Sequence, residues 1–212
     1  MGEMALTPPK ERIIALAREK FVREGFSGVS VDELVENLGM SKKTFYKAFK
    51  SKDDLLSQLV ERILLEMESG VLAILKGEGT FVEKLDGFMM FMGKNVGRIF
   101  TPFLRDVQRH APHLWQRVHE FRRERMTRHF MGFIQEGIGS GFIRQDVNPR
   151  ILLLAFLATI ENILVPSVLV NESFSADEAL RNILRMLFHG ILTVEAGEQL
   201  RALLENRVPQ SL

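Results

Sequence analysis

Residues 30–52 read SVDELVENLGMSKKTFYKAFKSK, and this stretch decides the fold. Ser30 and Glu33 have the spacing of a capping box, in which each side chain satisfies a free backbone N–H of the other residue. A helix therefore starts at Val31, carries Leu34, Val35 and Leu38 on its apolar side, and ends at Gly39, where a left-handed backbone closes the turn. Ser41 caps the next helix, expected over 42–48, with Phe45 and Phe49 four apart on its buried side. Two helices joined by a glycine turn, the second short and rich in Lys, Ser, Thr and Tyr, form the arrangement that lays side chains into a major groove.

Within 41–52 stand Lys42, Lys43, Lys47, Lys50 and Lys52 with no acidic residue. Lysines neutralise phosphates, the hydroxyls of Thr44 and Tyr46 hydrogen-bond phosphate oxygens, and capped helix starts offer free N–H groups. Lys43 and Lys47 share one helix face and are candidates for donating to guanine O6 and N7. A solvated lysine-rich helix with no nucleic-acid role has the same composition, so the pattern alone leaves both readings open.

Moving outward, a first helix begins near Pro8 or Pro9, buries Ile13, Ile14, Ala17 and Phe21, and stops at Gly25. Ser51 and Asp54 open a fourth helix through Leu55, Leu56, Leu59 and Ile63. Beyond it, longer helices are expected with breaks at 77–80, 93–102, 137–141, 148–149 and 171–175. The segments 149–170 and 176–204 are apolar on more than one face, which predicts a partner surface. The fold class expected is all-α: an amino-terminal helix-turn-helix three-helix domain over 1–52 and a larger helical domain over 53–212.

The whole chain agrees. Its 212 residues bury about 70% of the unfolded surface in packed cores. The absence of cysteine excludes disulfide scaffolds and thiolate-held zinc or iron–sulfur centres. A net charge of +1 gives no global attraction to polyanions, so a nucleic-acid function must reside in the local lysine patch. Residues 1–9 lack a secretory pattern, and Glu161, Asn162 and Pro166 interrupt the most apolar stretch, 151–170, so no membrane span and a cytoplasmic location are expected.

The run RIIALAREKFVREGFSGVSVDELVENLGMSKKTFYKAFKSKDDLL, residues 12–56, resembles the TetR family of transcriptional regulators. The likeness covers 12–59 and includes the glycine before Phe26, the Gly-Met-Ser turn, Thr44-Phe45-Tyr46, Phe49 and the start of the fourth helix. It implies that Ser30, Ser41, Lys42, Thr44, Tyr46, Lys47 and Lys52 face double-stranded DNA; Lys43 joins them as a candidate from its own position. Two departures stand out. Lys43 occupies a place where the family often has a small residue, which adds a contact, and Val35 replaces a usual Ala between the two helices, which shifts packing.

The same resemblance implies a larger domain that encloses an apolar cavity and a homodimer formed through the last two helices. Its two recognition helices would then lie one DNA turn apart, roughly 34–36 Å, on a near-palindromic operator. Candidates for contacting a small apolar or aromatic effector are Phe88, Met89, Met92, Phe103, Trp115, Phe121, Met126, Phe130, Glu161 and Asn162. Taken singly, the apolar ones are ordinary helix-bundle core. Glu161 and Asn162 either anchor a polar end of the ligand or pair across the dimer or with Arg105 or Arg109.

The function expected is that of an effector-responsive repressor, with no cofactor and no metal. His110, His113, His119 and Asp106 do not hold metal spacing, because Pro112 breaks the helix between them. The arginines of 117–128 alternate with Glu120 and Glu124 as a solvated face. A rival is a DNA-bound interaction factor of the same fold without an effector. A helical enzyme is disfavoured, because the chain shows no nucleophile–base pair and no phosphate-cradling glycine loop.

Overall fold

A computed structural model describes residues 8–99 and 102–205. Among them the only strand-like pairing is one antiparallel bridge, Ile143 with Leu192; the rest is helix and turn, as the periodicity predicts. The helices divide between two compact units, Met1–Glu66 with Arg98–His119, and Met67–Gly97 with Glu120–Leu212.

The first unit contains α1 (Pro9–Glu24), α2 (Val31–Asn37), α3 (Lys42–Ala48), the first part of α4 (Lys52–Leu75), α6 (Pro102–His110) and most of α7 (Pro112–Phe121). The caps work as the sequence suggests. Glu33 N–H donates to Ser30 Oγ at 3.1 Å, Thr44 N–H to Ser41 Oγ at 3.2 Å, and Asp54 N–H to Ser51 Oγ at 3.0 Å. After α2, Gly39 takes φ +62° while Met40 N–H reaches Val35 O and Gly39 N–H reaches Glu36 O, the paired bonds of a Schellman turn. Ile13, Ala17, Phe21, Leu34, Phe45, Leu55, Leu56 and Leu59 are fully buried and form the core of this unit.

The second unit contains the rest of α4 with α5 (Phe81–Ile99), a π-helical turn over Arg122–Met126, α8 (Thr127–Gly139), α9 (Pro149–Asn162), α10 (Pro166–Leu169), α11 (Ala176–His189) and α12 (Val194–Glu205). Two ring clusters fill it: Phe81 stacks on Phe133 at 4.4 Å and on Phe142 at 5.5 Å, and Phe130 stacks on Phe156 at 4.6 Å with Phe88 and Phe188 each at 6.1 Å. Thr80 and Glu83 form a reciprocal capping box at the start of α5.

The expected break at 93–102 is overturned up to Ile99, because α5 runs unbroken through Gly93 and Gly97. A mid-helix glycine costs about 1 kcal/mol relative to alanine, a penalty that tertiary packing readily offsets; Gly93 is itself buried. The segments 149–170 and 176–204 each divide in two, at Ile163–Val165 and at Gly190–Thr193. No helix among the described residues is long and apolar enough to cross a membrane.

Candidate nucleic-acid interface

The presentation of α3 follows from what lies beneath it. Phe45 and Phe49 are buried with ring centroids 5.5 Å apart, and they fix which side of the short helix faces inward. Tyr46 stands edge-on to Phe45 at 5.3 Å and is 55% exposed, so its ring is braced at one edge while most of the side chain is left to solvent. Lys43 and Lys47 are exposed beside it and form no ion pair among the described residues. Lysine, tyrosine and lysine thus share one open face.

The remaining candidates are more constrained. Lys42 is exposed, but its Nζ donates to Asp32 Oδ1 of α2 at 2.7 Å, and this bond and charge hold the ammonium above its ordinary pKa. Ser41 and Thr44 hydroxyls lie 3.0 Å apart, Ser41 also caps the helix, and Thr44 is half-buried. Ser30 is exposed as the cap of α2.

Lys52 is half-buried, with its Nζ 5.4 Å from the Phe26 ring centroid and 3.5 Å from Ser27 O. Burial pushes its pKa down against the pull of Asp106 and Asp53. Lys50, not among the candidate contacts, is exposed, and its N–H donates to Asp54 Oδ2 at 2.8 Å. The structure therefore brings the candidates onto α3 and the two caps, with Lys43, Tyr46 and Lys47 the least committed of them.

Two contacts that sequence reasoning missed hold this surface in place. Lys20, buried on α1, pairs with Glu33 on α2. That bond is the main reason Glu33 sits below the usual carboxylate range, with the Ser30 N–H adding to it. From α6, Asp106 Oδ2 accepts the Ser27 N–H at 2.6 Å, just ahead of α2. Nothing in the local pattern around Asp106 points to this, because the two residues lie 79 positions apart.

The effector candidates are divided between the units. Phe103 lies buried in the first unit, with its ring parallel to that of Phe21 at 6.5 Å, and Trp115, in the same unit, packs edge-on to His119 at 5.0 Å. Phe88, Phe121 and Phe130 are buried in the second unit, where Met89, Met92 and Glu161 are half-buried. Asn162 is exposed, with its Nδ2 donating to Ala158 O at 2.7 Å. The Met126 side chain lies outside the described residues.

Residues 13–59 match the model of bacterial regulatory proteins, tetR family. An HTH-type transcriptional regulator of Bacillus subtilis strain 168, YvaF, is 24% identical over 89% of this chain and 98% of its own length. A TetR/AcrR-family regulator from Thermobifida fusca YX-ER1 is 25% identical, with 87% of this chain and 98% of that one superposing at a TM-score of 0.62. The fatty acid degradation regulator FadR from Bacillus halodurans has the same fold, with a TM-score of 0.66 at 16% identity over 87% and 96% of the two chains. The capped, outward-facing α3 lies inside the segment that matches the tetR-family model, and over most of its length the chain is similar to HTH-type and TetR/AcrR-family transcriptional regulators.

Proposed function

We propose that the protein is a homodimeric repressor that binds a near-palindromic operator and is modulated by a small apolar or aromatic effector. The observation that carries this reading is the open face of α3, where Lys43, Tyr46 and Lys47 stand exposed without ion-pair partners among the described residues. Ser30, Ser41, Lys42, Thr44 and Lys52 fix register on phosphates around that face. In this division of labour residues 1–52 read DNA, and residues 53–212 bind effector and dimerise.

Dimerisation through 149–170 and 176–204 is supported by an unpartnered stripe on α9. Ile151 is 65% exposed and Leu154 50%, and Ala155 and Ala158 continue the same face. Met186 on α11 is 71% exposed among otherwise polar neighbours and belongs to the same proposed interface. A two-fold pairing there presents two copies of α3 to half-sites one helical turn apart, roughly 34–36 Å.

Effector binding by Phe88, Met89, Met92, Phe121, Phe130 and Glu161 shifts the population toward a dimer whose α3 helices miss that spacing. The B. halodurans neighbour is a regulator of fatty acid degradation, which is consistent with an apolar effector. The test is binding to duplexes from upstream of the protein's own and neighbouring genes, at several salt concentrations, against random duplex. Selective binding by a dimer, with affinity falling steeply with salt, is expected; equal affinity for random duplex refutes the reading.

A further inference from the structure

We propose that the second unit takes a single-chain amphipathic carboxylate, with the half-buried Arg122, whose Nη1 is shut off from solvent, anchoring its head and the Phe130–Phe156 stack flanking its tail. This rests on the reading of that unit as the effector domain and specifies the class of effector. Arg122 is the first residue of the π-helical turn, where Thr127 N–H returns to Arg122 O in place of the usual α-helical bond. Such turns re-aim the side chains around them and recur at functional sites. The following Arg123, Glu124 and Arg125 are exposed, whereas the Arg122 Nη1 is shut off from solvent and donates to no acceptor among the described residues.

An enclosed cationic donor without an acceptor is costly, and it is kept only where another requirement sustains it. Burial pushes the Arg122 pKa down to about 10, against the opposing pull of the Glu161 carboxylate. The group therefore keeps its positive charge at neutral pH. A guanidinium offers a planar fork of donors that matches a carboxylate, which makes an anionic head the complementary ligand.

The tail follows from helix register. Glu161 of α9 is the charge felt by Arg122, and Phe156, five residues earlier on α9, stacks on Phe130, eight residues after Arg122. The two segments therefore run antiparallel, and the distance from the anchor to the ring stack is roughly 8–12 Å along the helix axes at 1.5 Å per residue. Phe88 and Phe188 extend the aromatic surface around Phe130. Half-buried Met89 and Met92 of α5 add flexible thioethers able to adapt to a hydrocarbon chain.

The experiment is calorimetric titration of the full chain with decanoate, decanol and decyltrimethylammonium, all below micelle formation, repeated on Arg122→Met. Decanoate should bind saturably at one site per chain and at least tenfold more tightly than decanol, and the ammonium amphiphile should not bind. In Arg122→Met that preference should disappear while the protein stays folded, which thermal melting checks.

Equal binding of decanoate and decanol, no saturable decanoate binding, or unchanged decanoate affinity in Arg122→Met overturns the proposal. If that variant does not fold, the three-ligand comparison on the parent decides. Operator binding is measured separately with decanoate present. Decanoate that binds through Arg122 without altering DNA affinity sinks the effector reading and leaves the anchor standing. A different compound that shifts DNA affinity, in a protein that ignores decanoate, sinks only the anchor.

Discussion

Gly25→Ala should loosen the attachment of α6 to the start of α2, and the size of the effect can be worked from the site. Gly25 sits at φ +80° and ψ 153°, a backbone region that costs a residue with a side chain about 1–3 kcal/mol. Its new Cβ would also lie 2.9 Å from Asp106 Oδ2 and 3.2 Å from Cγ, so the carboxylate must move. Moving it takes the acceptor away from the Ser27 N–H, now bonded at 2.6 Å. That N–H is near the surface and water recovers part of the loss, which places this second cost near the low end, about 1 kcal/mol.

Gly25→Ala is therefore expected to cost about 2–4 kcal/mol and Asp106→Ala about 1 kcal/mol. The double variant should cost about 1 kcal/mol less than the sum, since the same hydrogen bond cannot be lost twice. The assay is urea denaturation of the full chain for the four proteins of the cycle, followed by operator binding at a temperature where all are folded. Additive costs, or a Gly25→Ala variant as stable as the parent, would show that the Asp106 carboxylate does not hold this junction.

On α3, Tyr46→Phe and Lys47→Ala should each weaken operator binding while leaving the dimer intact by sedimentation. If Lys47 meets a phosphate, its loss should lower the slope of log affinity against log salt by about 0.9 per subunit, and if it reads a base the slope should stay while sequence preference relaxes. Asp32→Asn frees the Lys42 ammonium from its 2.7 Å pair and should raise DNA affinity with a steeper salt slope; an unchanged slope would mean that Lys42 meets no phosphate. In the second unit, burial alone would raise Glu68, but hydrogen bonds from His129 and Arg125 outweigh it and hold its pKa below the ordinary 4.5. A depressed carboxylate stabilises the fold above its unfolded pKa and loses that contribution as pH falls through the folded one. Glu68→Gln should therefore flatten the decline of melting temperature below about pH 4.5, the ordinary value; a parallel decline in both proteins would remove Glu68 from the account.

The parts of the fold that could be read from the sequence were those written locally. Ser30, Ser41 and Ser51 announce helix starts because a cap and its N–H lie within three residues, and Phe45 and Phe49 announce the inner face of α3 because they are one turn apart. What escaped depends on the chain's return. Phe103 has the composition of an effector contact, yet it packs beside Phe21 of α1, and its local pattern does not distinguish the two. Helix propensity reads Gly93 as a break, but it lies buried inside an unbroken helix. The π turn at Arg122–Met126 leaves no mark in the residue types, so an inward Arg122 among outward Arg123 and Arg125 could not be separated from a solvated charged face.

The clasp between α1 and α2 sets a limit on reusing this helix-turn-helix segment elsewhere. A cassette cut at Ser30 would carry Glu33 away without Lys20, and would strip the Leu38 carbonyl of the Arg12 guanidinium that donates to it at 3.2 Å. The smallest portable piece therefore begins on α1 before Arg12. A recipient scaffold must also supply a carboxylate where Asp106 now stands, or be given a new partner for the Ser27 amide.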